Sequence, residues 1–315
     1  MLLVLPSVCA QSLSPQLTDK NIPVSEFSGI NVSDAFEVTV SRGTYGVRLT
    51  VDKDLSPYVE IYVKAKTLYI SYDEKSVPKD LKKLYKKGKN GLTPVFRVVV
   101  YLPELKSVSL SDEATLTSVE EFTTAQFDLT ATGKAQVRSL SVSANSAKVI
   151  LKKNAAATAT IKTERGVEVS TDNNTNLKLT FTGEELALNA QGSSVVVADG
   201  PCRSINCFTS GSSQVSVVSD TEKVALNTEG SSKVTLTGKA LDMNVNGSRN
   251  SNVDAFSMPV EQVVANLSNS SSLTVTVSNL VDATLVGGSS LYYSGTPEIR
   301  IGKIVKSTLA PYGTK

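Results

Sequence analysis

Gly192-Ser193-Ser194 recurs as Gly211-Ser212-Ser213 and Gly230-Ser231-Ser232, and looser versions follow at Gly247-Ser248-Arg249, Asn269-Ser270-Ser271 and Gly287-Gly288-Ser289. These turns start 19, 19, 17, 22 and 18 residues apart. Count each turn's first residue as zero. Apolar side chains then stand at −6 (Leu186, Ile205, Val224, Leu241, Val263, Val281) and at −4 (Leu188, Cys207, Leu226, Met243, Ala265, Ala283). They stand again at +4 (Val196, Val215, Val234, Leu273, Leu291) and at +6 (Ala198, Val217, Leu236, Val253, Val275, Tyr293), with Ser251 the single break. Apolar residues two apart mark a strand with one buried face, because strand side chains alternate sides. Each repeat therefore holds two short strands joined by a turn whose glycine supplies positive φ.

A unit this thin cannot bury its own face, so copies must stack. The expected fold is all-β: a parallel β-solenoid of about ten coils of ~19 residues, roughly 48 Å long at the usual strand spacing. The −3 column reads Asn189, Phe208, Asn227, Asn244, Asn266, Thr284, and stacked amides of this kind can bond along the axis, as can the serines of the turns. Upstream, the −6/−4 pairs are read as Val108/Leu110, Phe127/Leu129, Val149/Leu151 and Val167/Val169. The +4/+6 pairs are read as Val137/Ser139, Ala159/Ile161 and Leu177/Leu179. Both series step by 22 and then 18 residues, which implies about three extra residues near Leu140–Lys148.

The remaining chain divides around this array. Residues 1–10 read as the tail of a secretory signal, with small residues Val8 and Ala10 before Gln11; the alternative is a lipid anchor on Cys9. Residues 11–26 are polar, with two prolines, and read as a flexible lead-in. Residues 27–102 alternate like strands and hold most aromatics, as expected of a sheet capping an open solenoid end. The solenoid then spans 103–303, and 304–315 should close its far end. No apolar run after the signal reaches the roughly 20 residues of a transmembrane helix.

The opening Phe27-Ser28-Gly29-Ile30-Asn31, then Ala35-Phe36-Glu37-Val38-Thr39-Val40, then the Gly-Ser-Ser repeats resemble the putative auto-transporter adhesin, head GIN domain family. The resemblance covers roughly Val24 to Ile301. It implies a right-handed, single-stranded β-helix, exported by a Gram-negative bacterium to the periplasm, outer surface or exterior. It carries over no catalytic residue.

Composition narrows the function. The net charge is +2, which gives no global field for nucleic acid. The 315 residues include no His, which removes the commonest general base, the Ser-His and Cys-His pairs and His-ligated zinc. Asp199 and Asp254, read in one +7 column, lie three coils apart, roughly 14 Å, beyond the roughly 5–9.5 Å of paired glycosidase carboxylates. Cys207 falls in a buried column, so a core thiol is expected there and not a disulfide with Cys202. No enzyme, cofactor or metal site is expected.

The expected role is a surface module binding glycan or envelope protein; the alternatives are a purely structural envelope protein and a polysaccharide-degrading β-helix enzyme. Two sets of contacts are candidates. Lys82, Lys83, Lys86, Lys87 and Lys89 form a basic stretch that is either a solvated excursion or a polyanion patch. Phe208 and Tyr292 are the outward aromatics of the solenoid faces.

Overall fold

A computed structural model describes residues 16–85 and 92–313. About 70% of the chain is strand, wound into a β-solenoid of about 11 turns of ~19 residues. Successive coils pair in parallel and in register: Leu186 faces Ile205, Ile205 faces Val224, and on the second face Val196, Val215 and Val234 align. The −6, −4, +4 and +6 columns are buried almost throughout, and −2 adds a further inward position at Ala190, Thr209 and Thr228. This thin, continuous core is what drives stacking, since apolar area leaves water only when one coil covers the next.

The corner between the two faces is a recurring device. Its second serine points inward: Ser194, Ser213, Ser232, Ser271 and Ser289 are all buried. Each hydroxyl finds a partner within the corner or in an adjacent coil. Ser213 Oγ donates to Ser210 O (2.9 Å) and Ala190 O (3.1 Å), and Ser271 Oγ to Ser268 O (2.9 Å) and Gly247 O (3.0 Å). Serine is needed here because a buried carbonyl left unbonded would destabilise the corner.

Register corrects the sequence reading in two places. Val224 pairs with Met243 and Leu226 with Val245, while Leu241 is exposed. The fourth turn is therefore Arg249-Asn250-Ser251, with φ of 57° and 65° at its first two residues. Corner positions 192, 211, 230, 249, 269 and 287 then step by 19, 19, 19, 20 and 18. Ser251 becomes an ordinary buried corner serine. Asn246, not Asn244, occupies the −3 column. Upstream, Ala147 pairs with Phe127 and Val167, so the coils there step evenly by 20. Val108/Leu110 and Val149/Leu151 occupy −4/−2, and Ala157/Ala159 face Leu177/Leu179. Small register shifts at Val137/Leu140 and Ala144/Ser146 replace the expected three-residue insertion.

At the N-terminal end the coils are out of sequence order. Gly29–Val32 and Glu37–Arg42 form a coil that pairs with Ser107–Leu110 and with the start of Thr115–Gly133. On its outer side lie Thr67–Tyr72 and Phe96–Leu102, also parallel. In this outermost coil the tight corner is replaced by an excursion, described over 73–85 and 92–95, that carries the short helix Lys79–Leu84. Antiparallel strands cover the end: Val59–Lys64 on one face, Gly46–Asp52 and then Leu17–Ile22 on the other. Leu17–Ile22 lies inside the segment read as a lead-in. It is held by the backbone ladder and by Asp19, which accepts from Thr50 Oγ1 and pairs with Arg48 at 3.2 Å.

At the C-terminal end Glu298–Val305 and Thr308–Pro311 form a last coil, and no described strand covers its outer edge. Ile301, Ile304 and Val305 are exposed there.

Candidate functional site

The −7 to −1 face carries a trough along the axis. Three adjoining depressions share their lining residues. The first, about 520 Å³, is lined by Gln126, Lys148, Arg165, Glu168 and Ala187, among others. The second, about 380 Å³, runs from Glu168 and Ala187 past Asn189 and Asn206 to Phe208 and Asn227. The third, about 260 Å³, runs from Phe208 and Asn227 to Asn246, Asn266 and Ser268. From the coil of Gln126 to that of Ser268 the trough crosses seven coil spacings, roughly 34 Å. Small residues at −5, such as Ala187 and Ala225, keep its floor low beside the Phe208 ring.

Its chemistry changes along its length. The first depression is charged: Lys148 Nζ lies 2.7 Å from Glu168 Oε1, Glu185 Oε1 accepts from Asn206 Nδ2 of the adjoining depression, and Arg165 takes part in no ion pair among the described residues. Beyond Phe208 the lining is mainly amide and hydroxyl, and its one carboxylate, Glu229, lies 3.5 Å from Arg249 Nη1. Asn246 Nδ2 donates to Asn227 Oδ1 (2.9 Å), and Asn266 Nδ2 donates to Asn246 Oδ1 (3.1 Å). This ladder leaves the Asn227 Nδ2 donor at its end, in the coil next to Phe208. An aromatic face with a neutral amide donor beside it suits a hydroxyl-rich ring, which offers both C–H faces and acceptors. Cys207, under the trough, is a neutral core group: burial pushes its thiol up to about 12. Cys202 and Cys207 are both free.

The sequence-predicted residues do not converge. Phe208 lies half-buried in the middle of the trough. Tyr292 lies on the second face, in register with Thr274 and Ala310. Lys82, on the short helix of the excursion, is half-buried, and Lys83 is exposed, with Nζ 3.9 Å from Asp80 Oδ1. Lys86, Lys87 and Lys89 lie outside the described residues. Asp254 proves to be a +5 residue, paired with Thr235 and Thr274, and so does not share a column with Asp199. Sequence reading missed an exposed aromatic pair, Phe256 and Tyr312, with ring centroids 4.8 Å apart. The fourth-copy register error hid Phe256, and Tyr312 falls beyond the repeats.

Comparison with known proteins places the chain. The profile of the family described as putative auto-transporter adhesin, head GIN domain, matches it twice, over residues 26–167 and 160–297, and the chain belongs to that family. No curated protein matches it. Three solved structures resemble it over almost the whole of both chains. A putative lipid binding protein from Parabacteroides distasonis is 14% identical, with 94% of this chain and 96% of the other covered and a TM-score of 0.36. A putative adhesin from Parabacteroides merdae is 17% identical, with 94% and 96% covered and a TM-score of 0.33. A putative adhesin from Parabacteroides distasonis is 20% identical, with 94% and 97% covered and a TM-score of 0.33. Among the described residues no helix is long and apolar enough to cross a membrane.

Proposed function

We propose that this is an exported adhesion module that binds a linear, hydroxyl-rich glycan along the trough, without cleaving it. The observation that carries this is the continuous trough itself, with Phe208 at its centre and the asparagine ladder beyond. Family membership supports an adhesive role. The two carboxylates of the charged end, Glu168 and Glu185, are each tied to a neighbour, to Lys148 and Asn206. That arrangement suits positioning better than proton transfer, which needs a carboxyl free to exchange its proton with substrate.

The test is retention of the purified protein on immobilised polysaccharides and mucins, with chain cleavage read on the same samples. Retention without cleavage is expected. Phe208→Ala should weaken it about tenfold, the usual scale for truncating a central aromatic contact. Cleavage, or retention indifferent to Phe208, would refute the reading.

A further inference from the structure

We propose that the corner left open between Tyr72 and Phe96 is a second, separate site, for a soft organic cation of the quaternary-ammonium type. In most coils this corner closes with a tight turn. In the outermost coil the chain leaves at Tyr72 and returns at Phe96, and a cavity of about 440 Å³ lies between residues 74–85 and the coils beneath. Its walls are Tyr72, Tyr85, Phe96 and Leu55. Phe96 is already packed against Tyr72, with ring centroids 4.8 Å apart.

Carboxylates line the same cavity. Asp34 and Asp112 hold the corner position of neighbouring coils, and Glu74 lies on the excursion. Each aspartate commits one oxygen, Oδ2, to a neighbouring serine hydroxyl and a backbone N–H. Asp34 Oδ2 accepts from Ser33 Oγ (2.8 Å) and Tyr72 N (2.9 Å), and Asp112 Oδ2 accepts from Ser111 Oγ (2.9 Å) and Asp34 N (3.5 Å). No hydrogen bond or ion pair among the described residues takes either Oδ1. Burial, reinforced by Glu74 and Asp34, pushes the Tyr72 phenol up to about 12, and burial with Asp52 and Asp54 does the same for Tyr85. Both rings therefore stay neutral in a negative surrounding, opposed among the lining residues by Lys82.

Electron-rich ring faces beside carboxylates attract a large, weakly hydrated cation. A compact metal ion fits less well, since no cluster of three or more acidic or thiol ligands among the described residues could hold one. This site shares no lining residue with the trough, and its failure would leave the glycan reading untouched.

The test is calorimetric titration of the full chain with choline chloride. The controls are sodium chloride at matched ionic strength and 3,3-dimethylbutan-1-ol, the neutral isostere of choline. Choline should bind at a single saturable site, and the isostere about tenfold more weakly. Asp112→Asn, which keeps the acceptor for Ser111, and Tyr85→Leu should each weaken choline about tenfold, while Phe208→Ala should not. No saturable binding of choline, or equal binding of the isostere, would overturn the proposal on the unaltered protein alone. Asp112→Asn and Tyr85→Leu variants that melt like the parent and bind choline as tightly would overturn it as well.

Discussion

At the corner of coil after coil the first turn residue holds positive φ: Gly133, Lys153, Asn173, Gly192, Gly211, Gly230, Arg249, Asn269, Gly287 and Lys306. Glycine occupies half of these, and side chains bear the strain at the others. At Gly230 a Cβ would come within 2.6 Å of Gly211 O, so Gly230→Ala meets both an unfavourable φ and a backbone clash. We expect it to lower stability by about 1–3 kcal/mol. Arg249→Gly, which relieves the same φ and gives up only an exposed 3.5 Å pair with Glu229, should cause no loss. Denaturant midpoints of the two variants check the contrast.

Asp52 is a different residue-scale case. It is fully buried; its Oδ2 accepts from Val95 N (2.7 Å), and its Oδ1 has no partner. Burial raises its carboxyl above the ordinary 3.8. A raised carboxyl pKa means that the fold prefers the protonated form. The contribution of this one group is thus most favourable below pH 3.8 and is lost as pH rises through the raised value. Asp52→Asn keeps the bond from Val95 and removes the charge. It should flatten that part of the melting-temperature profile and raise the melting temperature at pH 7. A variant whose profile parallels the parent's would show that the carboxyl is not what titrates.

At the scale of the coil, the stacked columns were legible because they follow from period two within strands and a near-constant repeat between them. Register failed where a glycine misled. Gly247 resembles a turn glycine but occupies −2, where a Cβ would lie 2.9 Å from the Leu267 side chain of the next coil. It makes room for a larger neighbour, and the turn falls two residues later on Arg249 and Asn250, which sequence propensity does not mark. The trough was half legible: its asparagines and Phe208 appeared as a column, but its depth depends on small −5 residues and on register. Two predictions belong here. Asn246→Ala removes both ladder bonds to its neighbours and should lower stability by about 1 kcal/mol, more than Asn227→Ala, which removes one; thermal melts separate them. Leu226→Asp buries a lone charge in the −4 column and should unfold the surrounding coils, seen as lost β-sheet circular dichroism.

Over the whole molecule, the two ends are treated differently. Antiparallel strands cover the first coil, and its displaced order, with Thr67–Tyr72 and Phe96–Leu102 outside 29–42, lies beyond what repeat spacing can reveal. No described strand covers the last coil, where Lys303 and Lys306 are exposed and a register shift falls between Ala283 and Thr284. Charge and irregularity on an edge strand oppose edge-to-edge pairing. Lys303→Val with Lys306→Val should therefore promote self-association, detectable by sedimentation, while the parent shows less.

The central claim, a glycan lying along the trough, is tested most directly by affinity across a length series of one linear polysaccharide that the protein retains. The trough predicts affinity that rises with chain length until the ligand spans roughly 34 Å and then levels off, with the whole curve lowered by Phe208→Ala. A monomer that binds as tightly as the longest chain would contradict it.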